Sequence, residues 1–229
     1  MQSIEANPKH APVRAWFDRQ GWVPQTFQME VWDAFAQGQD GLLQAPTGSG
    51  KTYAAMGHVL STAAASGSGT LGVKLIWVAP LRALSADIAD AARAMIDGLG
   101  LDWEVGTRTG DTSAKEKAKQ RSALPDILIT TPESLHILIA QKGGVERLSS
   151  AQAVVVDEWH ELLGSKRGVQ VELAVSWIAQ HSAQKGLDML VWGISATLAE
   201  PELALEALVG SSEGALIKAD VSKVIELES

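Results

Sequence analysis

The chain has no cysteine, one tyrosine and three phenylalanines among its 229 residues. Without cysteine there can be no disulfide and no thiolate metal site, which fits a reducing compartment. The five histidines stand apart and offer no metal-ligand spacing. Positive charge is scarce too: 19 Lys and Arg face 27 Asp and Glu, for a formal net charge of −8. That balance excludes a protein that grips nucleic acid by bulk positive charge, so any such contact must be local. No apolar run approaches the ~20 residues that span a bilayer, and the N-terminus, with Glu5 and Asn7-Pro8, lacks a secretory apolar core. The expectation is a cytoplasmic protein with no membrane association.

Hydrophobic residues make up 46% of the chain, enough at this length for one substantial core. Eight tryptophans are present, several inside apolar runs such as Leu75-Ile76-Trp77-Val78 and Leu190-Val191-Trp192. They are therefore expected in the core and not as platforms for bases. Strand-length apolar runs recur at Leu42 to Ala45, Val73 to Ala79, Ile127 to Thr130, Ala153 to Asp157 and Met189 to Ser195, with another candidate at Ala215-Leu216-Ile217. Between them lie helical stretches: Thr52 to Ala65 is Ala-rich, Leu81 to Gly98 is amphipathic, and Val169, Leu173 and Trp177 recur at i, i+4, i+8. Strand alternating with helix predicts an α/β domain with a mostly parallel sheet flanked by helices. Ser66-Gly67-Ser68-Gly69 reads as a flexible surface loop, and there is no internal repeat.

Directly after the first run comes Ala45-Pro46-Thr47-Gly48-Ser49-Gly50-Lys51-Thr52, a glycine-rich loop ending in Lys-Thr. Gly48 and Gly50 can take positive φ, which turns successive N–H groups toward one anion, and the following helix adds its positive end. Thr47, Gly48, Ser49 and Gly50 thus form a phosphate cradle, from which Lys51 reaches the β/γ-phosphates and Thr52 offers a hydroxyl to Mg²⁺. The strict pattern opens with glycine; here Ala45 stands at its head. About a hundred residues later, Val154-Val155-Val156 ends in Asp157-Glu158-Trp159-His160. A carboxylate at the carboxyl end of a parallel strand points into the crevice where phosphates sit. Asp157 can hold Mg²⁺ there, Glu158 can accept a proton from attacking water, and His160 can sense the γ-phosphate.

Four further segments stand at strand-to-helix turns: Ala79-Pro80-Leu81-Arg82-Ala83-Leu84-Ser85, Gly106-Thr107-Arg108-Thr109-Gly110-Asp111-Thr112, Thr130-Thr131-Pro132-Glu133-Ser134-Leu135 and Ser195-Ala196-Thr197. With the cradle and the acidic segment, this order resembles the first RecA-like motor domain of a superfamily 2 DEXH-box helicase. Asp157-Glu158-x-His160 followed by Glu161 to Gly168, with Gly193 to Leu198, resembles the large-helicase-related (Lhr) type. Trp159 within the acidic segment looks most like the bacterial ligase-associated DEXH-box DNA helicases.

The resemblance implies ATP and Mg²⁺ as cofactors, and ATP-driven 3′-to-5′ movement on single-stranded DNA, or an RNA/DNA hybrid, in DNA repair. It implies that Ser195 and Thr197 couple nucleotide state to the bound strand. Phe27-Gln28 resembles the glutamine motif that reads adenine; Gln28 is preferred over Gln25, and Phe17 and Trp22 are candidates to stack on the ring. Donors for strand phosphates are Arg82, Ser85, Arg108, Thr109, Thr131, Lys166 and Arg167. Lys115, Lys117, Lys119 and Arg121 read as a solvated helix face.

The expected organisation is a helical, glutamine-motif segment over 1–38, the RecA-like ATP-binding domain over 39–212, and the last strand with the start of a linker over 213–229. Nothing after Thr197 resembles the second RecA-like domain, whose arginine finger completes the ATP site in such motors. The chain is therefore expected to partner a further RecA-like domain and accessory domains, and to hydrolyse ATP feebly alone. Two other readings remain: a nucleotide-gated binding module without turnover, and an RNA helicase or restriction-type translocase.

Overall fold

The structure is a computed structural model that describes residues 7–67 and 72–220. Ser68 and Gly69 of the expected loop, and Ser222 to Ser229 of the expected linker, lie outside the described residues.

A 3-10 turn (Pro8–His10) leads into α1 (Ala11–Arg19) and α2 (Thr26–Ala36), after which strand and helix alternate. The order is β1 (Gly41–Gln44), α3 (Lys51–Ser66), β2 (Leu75–Val78), α4 (Leu84–Leu99), β3 (Val105–Arg108), α5 (Ala114–Ser122) and β4 (Ile127–Thr130). Next come α6 (Pro132–Ile139), α7 (Gly144–Leu148), β5 (Ala153–Val156), α8 (Trp159–Leu162), α9 (Lys166–Gln184), β6 (Leu190–Ser195), α10 (Pro201–Val209) and β7 (Ala215–Lys218). All six strand pairings are parallel, in the order β3-β4-β2-β5-β6-β1-β7. The single α/β domain with a parallel sheet is thus as the sequence predicts.

Alternating strand residues divide the core into two layers, because successive side chains leave opposite faces of a sheet. Leu43, Trp77, Val155, Trp192 and Ile194 pack beneath α1 to α4, whereas Leu42, Val78, Val156 and Val191 pack beneath α6 to α10. β3 differs from the strands found as apolar runs. It is an edge strand whose residues alternate between buried and half-buried, so Val105-Gly106-Thr107-Arg108 needs no apolar run.

Trp16, Trp32, Trp77, Trp159 and Trp192 are fully buried, as expected. Missing β-carbons make room for three of them. A Cβ on Gly57 would lie 2.2 Å from the Trp32 ring, one on Gly98 2.2 Å from Trp16, and one on Gly41 2.6 Å from Trp192.

α9 is the helix that Val169, Leu173 and Trp177 predict, but those three residues are 50%, 61% and 51% exposed. Val171, Ala174, Val175 and Ile178 face the core instead. The helix carries two apolar stripes, and the more regular one looks outward.

Candidate nucleotide site and strand interface

Parallel strands deliver their carboxyl ends to one edge of the sheet, where the crevice of such folds lies. The loop after β1 and the acidic segment after β5 meet there, with β6 between their strands. Ala45 N–H donates to the Ser195 carbonyl at 2.9 Å, and Asp157 N–H to the Val78 carbonyl at 2.8 Å. The backbone thus fixes both loops to neighbouring strands.

Gly48 has φ +79° and Gly50 φ +89°. At Gly50 a side chain is excluded twice, since its Cβ would also stand 2.7 Å from Gln28 Nε2. Ser49 Oγ braces the loop on the Pro46 carbonyl at 2.7 Å. Thr47, Gly48, Gly50, Lys51, Thr52, Asp157 and Glu158 line one cavity of about 320 Å³, which Tyr53 of α3 and Asp87 of α4 complete. Neither residue belongs to a motif visible in the sequence. Tyr53 is the residue after Thr52 and the chain's lone tyrosine, whereas Asp87 carries no local signal.

Two short sets of contacts meet at this edge, Lys51 with Glu158 and His160 with Ser195 and Thr197. Lys51 Nζ lies 3.4 Å from Glu158 Oε1. Glu158 adopts φ +45°, the left-handed region, the one such non-glycine among the described residues. Strain of this kind concentrates at functional sites. His160 Nδ1 sits 3.0 Å from Ser195 Oγ, and Ser195 Oγ in turn contacts the Thr197 carbonyl at 3.1 Å. His160 Nδ1 is also 3.4 Å from Glu158 Oε2, but makes no hydrogen bond there, and that buried oxygen has no hydrogen-bond partner. Asp157 Oδ1 accepts the Glu158 N–H at 2.9 Å, and Oδ2 accepts Trp77 Nε1–H at 3.2 Å. Burial, then the Glu158 charge, pushes the Asp157 carboxyl up to about 6. The hydroxyl of Thr52 and the carboxylate of Asp157 are hard oxygen donors that fit Mg²⁺.

A second cavity of about 390 Å³ adjoins the first and shares Gly48, Gly50 and Tyr53. Phe17, Trp22, Gln25 and Gln28 line it. Gln28 Oε1 accepts the Gln25 N–H at 2.9 Å, and Nε2 donates to the Gly50 carbonyl at 3.1 Å. Both glutamines therefore belong to one reciprocal cap on α2, and it is Gln28 that touches the cradle. Phe17 is buried edge-to-face against Trp16, whereas Trp22 is 44% exposed and stands 5.5 Å from the Tyr53 ring.

The expected strand donors fall into two groups. Arg82 is exposed and pairs with Asp111 at 2.9 Å, and Lys166 is exposed at the first turn of α9. The others are buried or held by the protein. Arg108 is 5% exposed, with Nη1 donating to the Lys117 carbonyl and Gln120 Oε1. Arg167 forks onto Glu133 at 2.6 Å and reaches the Pro80 carbonyl at 2.7 Å, tying two of the turn segments to the start of α9. Thr131 caps α6, and Thr109 Oγ1 accepts the Asp111 N–H. Ser85 Oγ is buried with no partner. Lys117 and Lys119 of α5 contact the Gly110 carbonyl and Glu104.

A model of the family described as DEAD/DEAH box helicase matches residues 25–204. The chain belongs to that family. The Lhr-Core ATP-dependent helicase of Methanothermobacter thermautotrophicus is 37% identical over 84% of this chain and 24% of its own length. The Lhr helicase/probable uracil glycosylase of Mycolicibacterium smegmatis is 31% identical over 95% of this chain and 15% of its own. The chain thus spans a quarter or less of these curated relatives. A solved Mycobacterium smegmatis Lhr helicase, bound to ssDNA and AMP-PNP, superposes with TM-score 0.81 at 30% identity, covering 93% of this chain and 28% of that one. The DEAD-box helicase Mss116 bound to ssRNA and UDP-BeF superposes at 0.78 with 20% identity, a likeness of fold alone. The architecture is the RecA-like domain of these helicases, and the relatives are of the Lhr type. Among the described residues no helix is long and apolar enough to cross a membrane.

Proposed function

We propose that this DEAD/DEAH box domain is the nucleotide-binding motor lobe of an Lhr-type, ATP-dependent 3′-to-5′ DNA helicase or translocase, of the ligase-associated branch and acting in DNA repair. The observation that carries the reading is the meeting, at one sheet edge, of the pair Lys51–Glu158 with the contacts His160–Ser195–Thr197, His160 Nδ1 lying 3.4 Å from Glu158 Oε2. In it Lys51 and the N–H groups of Gly48 to Thr52 hold the triphosphate, and Asp157 with Thr52 holds Mg²⁺. Bound there, the metal neutralises charge developing on the phosphoryl group. Glu158 Oε2, buried without a hydrogen-bond partner, accepts the proton of the attacking water. His160 transmits the state of the γ-phosphate to Ser195 and the exposed Thr197. Gln28 reads adenine and Trp22 with Tyr53 flanks it.

Single-stranded DNA then lies along the turn segments, with Arg82 and Lys166 on phosphates. Arg108, Arg167 and Thr131 brace the loops that carry them. An arginine finger from a second RecA-like lobe is worth ~10³- to 10⁵-fold in rate. The domain alone is therefore expected to bind ATP and turn it over weakly.

The deciding experiment compares ATPase activity with and without single-stranded DNA, for this chain alone and for the chain joined to a second lobe. DNA stimulation only in the joined protein supports the motor. A joined protein that binds ATP and DNA without turnover supports the gated binding module. Competition between DNA and RNA oligomers separates the DNA motor from an RNA helicase, since backbone contacts alone do not choose between them.

A further inference from the structure

Trp77 lies fully buried in the middle of β2, opposite Val155 of β5. Both pack into the layer under α1 to α4. Asp157 follows Val155 by two residues, and the Trp77 indole leans one step along the neighbouring strand to reach it, Nε1 to Oδ2, at 3.2 Å. A leucine would fill an apolar strand position equally well and bring no polar atom into the layer. A buried indole N–H needs an acceptor, and here the acceptor is the carboxylate assigned to Mg²⁺.

We propose that Trp77 is a positioning residue for Asp157. The carboxylate receives one protein donor on each oxygen, the Glu158 N–H on Oδ1 and the Trp77 N–H on Oδ2. Together they fix its plane and leave the remaining lone pairs of both oxygens for a hydrated cation. Without the indole N–H, the carboxylate keeps one donor and is free to turn about its Cβ–Cγ bond. Groups of this kind, one shell out from a metal ligand, typically change metal affinity or activity 10- to 100-fold when removed. The inference rests on the assignment of Asp157 to Mg²⁺.

The test measures binding of AMP-PNP to the 229-residue chain as a function of Mg²⁺, and again in EDTA, by calorimetry. Two variants are compared with wild type: Trp77→Phe, and Trp77 replaced by benzothienylalanine, which keeps the shape and exchanges N–H for sulfur. In the isostere the Mg²⁺ concentration for half-maximal binding should rise roughly 10- to 100-fold, while affinity in EDTA stays at its wild-type value. In protein labelled with ¹⁵N at its indoles, the Trp77 resonance should shift when Mg²⁺ joins the nucleotide complex. An unchanged Mg²⁺ midpoint in the isostere overturns the proposal, even if Trp77→Phe shifts it, because the phenylalanine also leaves a cavity. An indole resonance blind to Mg²⁺ overturns it independently. If wild-type affinity itself ignores Mg²⁺, the assignment of Asp157 fails first.

Discussion

Lys51 Nζ stands 3.4 Å from Glu158 Oε1, so the cradle lysine and the acidic segment already form an ion pair with both side chains mostly out of water. A triphosphate entering the cradle competes with Glu158 for the same ammonium. On the proposed assignment, binding and base activation are linked: Glu158 would be released toward water as Lys51 turned to phosphate.

Lys51→Ala should abolish nucleotide binding, followed by the fluorescence of a labelled ATP analogue. Glu158→Gln removes the competing charge, so affinity should hold or tighten, while turnover in the two-lobed enzyme falls by about 10²- to 10⁴-fold. Turnover of Glu158→Gln close to wild type would remove Glu158 as the base.

The two arginines of the expected strand track should separate cleanly. Arg82→Ala should weaken single-stranded DNA binding and flatten the plot of log affinity against log salt by about 0.7, the share of one phosphate contact. Arg108→Ala strips the donor from Gln120 Oε1 and the Lys117 carbonyl. Its cost should appear as about 1 to 3 kcal/mol of urea stability, with the salt slope unaltered. A reduced salt slope in Arg108→Ala would put its guanidinium on the DNA.

A histidine pair joining the 3-10 turn to α3 should make stability fall in mild acid. His10 Nε2 faces His58 Nδ1 at 3.1 Å, His10 Nδ1 approaches Asp33 at 3.4 Å, and the charges of Arg14 and Lys9 disfavour protonation of His10. Burial, then the charge of His10, lowers His58 from the usual 6.5 to about 4. Below 6.5 the unfolded chain takes up a proton that the folded one refuses until about 4, so stability declines as pH falls through that window. After discounting for solvent screening the loss is on the order of 2 kcal/mol. Urea midpoints at pH 7.5 and 5 check it, and His58→Gln should flatten the difference.

Gly57→Ala should destabilise the domain by about 1 to 3 kcal/mol through overpacking, because the new methyl meets the Trp32 ring. Adding Trp32→Phe should recover part of the loss, a coupling that a thermodynamic cycle measures. Strict additivity of the two changes would show that the ring had moved aside.

The parallel sheet was legible because each central strand is an apolar run, and the cradle because glycine and lysine at that spacing have few other uses. β3 was hidden by its edge position. Val169, Leu173 and Trp177 mark the helix but not which stripe of it meets the core, since periodicity reports spacing and not direction. The acidic segment predicted Asp157 and Glu158, but nothing local predicts that Trp77, eighty positions earlier, donates to Asp157. That contact exists only once β2 and β5 are paired. Arg108 and Arg167 looked like phosphate donors because charge is read from sequence and commitment is not: their internal acceptors come from α5, from the turn after β2 and from Glu133 of α6.

β6 is laddered to β1 on one side and to β5 on the other. The cradle and the acidic segment are thus two ends of one stiff plate, and they cannot part without tearing out a strand. The mechanical output of such a site cannot be a hinge within it. In the proposed motor it would be a re-pairing of side chains, Lys51 off Glu158 and His160 against Ser195, delivered to whatever rests on the exposed turn at Thr197. On that reading the domain would serve as an anvil, and the stroke would belong to the body that strikes it.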